Sequence, residues 1–138
     1  MQKSIAEIET EIIDDFNLFD DREEKLEYLI DIGKKLPAID PKYQTDDFLV
    51  KGCQSKVWLH AYEKDGRIFF EADSNTIITK GIVALLVRVL SGQTAKEIIS
   101  SPLSFIDKTN LRTYLSSQRS NGLSSMIVKM KAYATAFA

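Results

Sequence analysis

Cysteine and histidine are almost missing from this sequence: each occurs once, at Cys53 and His60. One cysteine closes no internal disulfide, so the fold needs no oxidising compartment. One of each also leaves too few ligands for a zinc or iron–sulfur site. Charge of one sign is lacking too. The 18 Lys and Arg are scattered among 20 Asp and Glu, for a net charge of -2. That offers no clustered basic surface to a nucleic acid. There is no Gly-rich phosphate loop, no Walker-type lysine motif and no GxSxG elbow. The longest apolar run, residues 82–87, is closed by Arg88, far short of the ~20 residues that cross a bilayer. The N-terminus has no apolar stretch followed by a cleavage site, so no signal peptide is read there. The simplest expectation is a cytoplasmic protein.

What is present is the balance of a globular chain. Of 138 residues, 44% are hydrophobic and 28% charged, which fits one domain, 1–138, around one core. No internal repeat or low-complexity segment interrupts it. Ile5, Ile8, Ile12, Ile13 and Phe16 fall at helical spacing. Asp20, with Glu23 three residues on, predicts a capped second helix whose apolar stripe is Leu26, Leu29, Ile30 and Leu36, stopped by Pro37. Residues 38–47 read as irregular. Phe48-Leu49-Val50 reads as an edge strand leading into Gly52-Cys53.

The clearest local signal is a hairpin. Residues 57–64 and 67–73 are rich in β-formers, and Asp65-Gly66 between them is a two-residue turn. Such a turn fixes the register: Tyr62 opposite Phe69, His60 opposite Glu71, Trp58 opposite Asp73, with Leu59–Ala72 and Ala61–Phe70 on the other face. Both faces carry apolar residues, so each should be covered in part, and Trp58 should be core. Ser74 can cap a helix whose buried face is Ile77, Ile78, Gly81, Ile82, Leu85, Leu86 and Val89, ending at Ser91-Gly92. Gly81 should pack closely on the sheet. Thr94 and Glu97 have capping-box spacing, and Pro102 ends that short helix. Leu111, Tyr114 and Leu115 suggest a further turn. A last helix carries Leu123, Met126, Ile127, Met130, Tyr133 and Phe137. Helices, a small antiparallel sheet of about three strands, then helices make an α+β fold.

The chemistry centres on Cys53. A buried structural cysteine usually sits in an apolar periodic run. This one stands between Gly52 and the polar Gln54-Ser55-Lys56, just before a strand. Gly52 permits backbone angles closed to other residues, so the thiol can stand at a loop tip. Lys51 and Lys56 favour the thiolate, the reactive form. Local chemistry alone leaves a reactive and an incidental cysteine both open. A Cys–His pair is formally possible. His60, however, faces Glu71 and lies roughly 20 Å along an extended chain from Cys53, so a strand residue hydrogen-bonded to a neighbour is the expected role.

Four segments carry a resemblance. Gly52-Cys53-Gln54-Ser55-Lys56-Val57-Trp58 resembles the GCxSxVW signature of the SufE family. Asp73-Ser74 with Ile78 and Lys80-Gly81-Ile82 resembles its GDSxxxIxKGL segment. Arg119-Ser120-Asn121-Gly122-Leu123 resembles SRSxGL, and Gly33-Lys34-Lys35-Leu36-Pro37 resembles GxxLP. The matches lie in order along nearly the whole chain. Ala72, Ile82-Val83 and Gln118 depart from the usual Gly, Leu-Ile and Ser.

The resemblance implies a SufE/IscU-like fold and a sulfur carrier. Cys53 would take persulfide sulfur from a pyridoxal-phosphate cysteine desulfurase of SufS type and stimulate that desulfurase. It would then pass the sulfur to an iron–sulfur scaffold such as SufB or the SufBCD complex. The carrier needs no cofactor, because the pyridoxal phosphate belongs to the desulfurase. It holds no metal and catalyses no reaction on a small molecule. Lys51, Gly52, Gln54, Ser55 and Lys56 would support Cys53, packed on apolar residues at rest and released on docking. Arg119 and Asp73 are candidate partner contacts. For Arg119 the competing assignments are an internal salt bridge or a helix cap, and for Asp73 a helix cap. Related carriers serve other desulfurase systems, including tRNA modification. A cysteine-nucleophile hydrolase would need His60 as base, and a plain adaptor would not need Cys53.

Overall fold

A hairpin with helices before and after it organises the chain. In the computed structural model, residues 3–52 and 55–138 are described, all but Tyr114 with their side chains. Six helices are described, α1 (Ile5–Asn17), α2 (Arg22–Lys34), α3 (Ile77–Leu90), α4 (Ala95–Ser100), α5 (Phe105–Lys108) and α6 (Ser117–Phe137), with strands β1 (Val57–Lys64) and β2 (Arg67–Ser74). The α+β class is as expected.

The hairpin register is the one its turn dictates, from Val57 opposite Ser74 to Lys64 opposite Arg67. Asp65 and Gly66 both take positive φ, 54° and 79°, the pattern of a type I′ turn. The expected third strand is reduced to a single bridge, Leu49 to Trp58. Phe48 ends a 3-10 turn, Asp46–Phe48, which leaves one residue extended enough to pair. One sheet face, with Leu59, Ala61, Ile68, Phe70 and Ala72, is buried against α3. The other is covered only in part. Tyr43 stacks on His60 with ring centroids 3.7 Å apart, and Phe48 meets the same ring edge-on. Trp58 lies on this second face and is half-buried, not core as expected.

Two expected caps move. Asp21, not Asp20, caps α2, its carboxylate accepting from the Glu24 amide at 2.8 Å. Ser74 still belongs to β2 and donates its hydroxyl to the Lys56 carbonyl. Helix α3 therefore starts later, with Thr76 at its N-cap, and Ile77 is turned out at 63% exposure. The capping box of Thr94 and Glu97 forms as read. Gly81 does pack closely, but on α2 and not on the sheet: a Cβ there would lie 2.2 Å from the Leu29 carbonyl oxygen. Phe16, Leu29, Leu59, Ile68, Leu85, Leu86, Phe105 and Leu123 fill the core between these elements. Each contributes about 1.5–3 kcal/mol through burial.

Candidate functional site

Between the single bridge and the hairpin the chain makes a loop, residues 51–56. The Val50 amide donates to the Val57 carbonyl at 2.8 Å and closes its neck. The loop's sequence centre, Cys53 and Gln54, lies outside the described residues, as do the expectations placed on them. The flanking residues define the setting.

On the entry arm, Gly52 has φ +91°, and a Cβ on it would meet Ser125 Oγ at 2.5 Å. Glycine is required twice over, by its backbone angle and by the close approach to α6. On the exit arm, Ser55 Oγ accepts from Thr76 Oγ1 at 2.7 Å and from Thr79 Oγ1 at 3.3 Å. The Lys56 amide donates to Asn75 Oδ1 at 3.0 Å, and its carbonyl accepts from Ser74 Oγ and the Asn75 amide. The exit arm is thus hydrogen-bonded to the β2–α3 turn, and Gly52 on the entry arm packs closely on α6. Lys51 and Lys56 are both exposed.

Two hollows flank it. Ser55, Val57, Thr79, Ile82, Val83, Leu123 and Met126, together with Gln118 and Arg119, line a mainly apolar cavity of about 20 Å³. That is room for about one small group. On the other side, Asp46, Asp47, Leu49, Val50 and Lys51 face Ser124, Ser125, Val128, Lys129 and Ala132 of α6 across an open groove of about 690 Å³. Val128 there is 68% exposed.

Arg119 and Asp73 are placed differently. The Arg119 amide donates to Ser116 Oγ at 3.3 Å as part of the α6 cap. Its side chain is exposed and makes no ion pair with a described residue. Asp73 already has partners in the chain: it accepts from the Ser74 amide at 2.8 Å and pairs with Lys80 Nζ at 3.3 Å. His60 Nδ1 lies 3.2 Å from Glu71 Oε1, as the register required, and does not line the cavity beside Ser55.

Sequence reasoning missed Ser125, Thr76 and Thr79. The i, i+3 pair of threonines at the start of a helix was a visible signal. The close approach of α6 to Gly52 was not, because 73 residues separate Gly52 from Ser125.

Comparison with known proteins extends the geometry. A family model described as SufE, Fe-S metabolism associated domain, matches residues 10–134. "Sulfur acceptor protein CsdE" of Escherichia coli is 36% identical over 106 residues, 75% of this chain and 72% of that protein. "Cysteine desulfuration protein SufE" of Wigglesworthia glossinidia brevipalpis is 33% identical over 128 residues, covering 91% and 88%. The solution structure of a hypothetical protein from Thermus thermophilus superposes with a TM-score of 0.77 over 93% of each chain at 18% identity, which bears on the fold alone.

Proposed function

The chain belongs to the SufE family, and from that premise we propose that, as one domain spanning 1–138, it accepts sulfur on Cys53 from a cysteine desulfurase and carries it onward. The Cys53 thiolate attacks the outer sulfur of the desulfurase's cysteine persulfide. A new S–S bond forms to Cys53, the donor's S–S bond breaks, and the donor leaves as a thiolate while the outer sulfur keeps its proton. Thiol exchange of this kind depends on thiolate fraction, nucleophilicity and access.

The observation that carries the reading is the loop itself. A neck closed by Val50 and Val57, a Gly52 that no other residue replaces without strain, and an apolar cavity beside Ser55 together suit a thiol sheltered at rest and presented on docking. Lys51 and Lys56 flank Cys53 in the sequence and Arg119 lines the cavity beside Ser55; positive charge near a thiol favours the thiolate. The exposed Arg119 is the better placed of the two partner candidates, because Asp73 is engaged by Lys80. The relatives' names, sulfur acceptor and cysteine desulfuration protein, support the same chemistry.

Desulfurase stimulation, delivery to an iron–sulfur scaffold of SufB or SufBCD type, and a cytoplasmic site of action complete the reading. The pyridoxal phosphate stays with the desulfurase. No helix among the described residues is long and apolar enough to cross a membrane.

The test is intact mass. Incubation with cysteine and a matching desulfurase should add one sulfur, about 32 Da, that reductant removes. Cys53→Ser should gain nothing. Sulfur loading of Cys53→Ser, or none of the wild type, would reject the proposal.

A further inference from the structure

Arg112 sits in the 3-10 turn Leu111–Tyr114, just before α6. Its Nη1 donates to the Ser120 carbonyl at 2.9 Å and to Ser120 Oγ at 2.8 Å. The helix does not need the first of these bonds. A carbonyl four residues into a helix already accepts from the amide four residues further on. Charge does not call for it either. Cations are disfavoured at a helix N-terminus, the first turn of α6 holds no acid, and Arg112 makes no ion pair with a described residue. A half-buried guanidinium kept there against the helix dipole points to a use for its geometry.

The turn that it holds is the one that brings Gln118 and Arg119 to the cavity beside Ser55. That turn is otherwise lightly tied. Ser116 Oγ accepts from the Arg119 amide at 3.3 Å, long for such a bond, and Ser117, Gln118 and Arg119 are all exposed. The footing of Arg112 is firm by comparison, because its neighbour Leu111 is fully buried in the core. A line of support therefore runs from the core through Leu111 and Arg112 to Ser120, and so to the backbone that carries Arg119. An exposed arginine on a loose turn must be ordered by its partner at a cost in binding. On a held turn part of that ordering is done beforehand.

We propose that Arg112 is a positioning residue for docking. By holding Ser120 it fixes the first turn of α6 and presents Arg119 to the desulfurase. The proposal rests on the sulfur-acceptor reading and adds to it a residue that acts through Arg119 without touching the partner itself.

The experiment is a double-mutant cycle on the desulfurase reaction, with alanine formed from cysteine measured against rising concentration of this protein. Arg112→Met keeps the aliphatic stem and removes the donors. It should raise the KM for this protein about three- to tenfold with kcat unchanged. Both bonds come from one nitrogen, so Arg112→Lys should restore most of the affinity. Arg119→Ala should raise KM as well, and Arg112→Met added to it should change nothing more. Multiplying effects overturn the proposal, since Arg112 would then act on the partner directly or on the fold at large. A wild-type KM in either single variant overturns it too, as does a loss confined to kcat. Should Arg112→Met fail to fold by circular dichroism, Ser120→Ala removes the hydroxyl end of the tie and is judged by the same cycle. Intact mass on the same samples separates the two readings. Wild type that gains no sulfur rejects the acceptor function and this proposal with it, whereas wild type that loads while the effects multiply rejects the positioning role alone.

Discussion

Gly52 is the residue at which backbone and packing make the same demand. Its φ of +91° is one that other residues adopt only with strain, and its missing Cβ leaves space that Ser125 Oγ fills. Gly52→Ala should lower stability by about 1–2 kcal/mol, part from the backbone angle and part from the contact. Ser125→Ala added to it should recover the steric part and leave the backbone part. Denaturant titration of the single and double variants measures both. Equal unfolding free energies for the two would show that α6 does not press on the loop. The need for glycine beside Cys53 was legible in the sequence. Its second reason was not, because Ser125 is brought there by the fold.

Among the elements, the α2–α3 contact shows how far a pattern can be read. The helical stripe from Ile77 to Val89 marked α3 as a buried helix, and Ile82, Leu85, Leu86 and Val89 are in the core, although Ile77 itself is turned out. The stripe does not say which neighbour each face meets. Gly81 meets α2, and Gly33 faces it so closely that a Cβ on Gly33 would sit 2.9 Å from the Gly81 amide nitrogen. Gly81→Ala would regain about 1 kcal/mol of helix propensity. It would also force a methyl against the Leu29 backbone, and such overpacking costs typically 1–3 kcal/mol or more where backbone must move. The net expectation is destabilisation by about 1–2 kcal/mol, read by thermal unfolding. A variant as stable as wild type would mean that α2 can move aside. The same limit explains the displaced caps. Asp20 and Asp21, or Ser74 and Thr76, are both acceptable caps by residue type, and at α3 the end of β2, which keeps Ser74, leaves the N-cap to Thr76.

Across the molecule, stability against pH reports the packing of the N-terminal helices on α3. Tyr28 of α2 donates its hydroxyl to Asp15 of α1 at 2.8 Å, beside Arg88 of α3, which lies 3.9 Å from the same carboxylate. Burial first, then the bond to Asp15, raises the Tyr28 pKa well above its ordinary value of 10.0. The folded state therefore keeps this proton after the unfolded chain has lost it. The contribution is complete below pH 10 and is lost as pH rises from there toward the folded pKa. Unfolding free energy should fall above that pH, and Tyr28→Phe should fall less steeply. Parallel slopes for the two would place the alkaline loss elsewhere.

Local spacing was enough to read the hairpin and its register, the α+β order, the candidate thiol and the family. Each rests on neighbours in the chain: a two-residue turn, helical stripes, a short motif around Cys53. Packing settled the remainder: that the third strand shrinks to one bridge, that Gly81 faces α2, that Asp73 is taken up by Lys80, and that Thr76 and Thr79 hold Ser55. Such contacts join side chains and faces that have several chemically equal partners, and only the packed core fixes which one each meets.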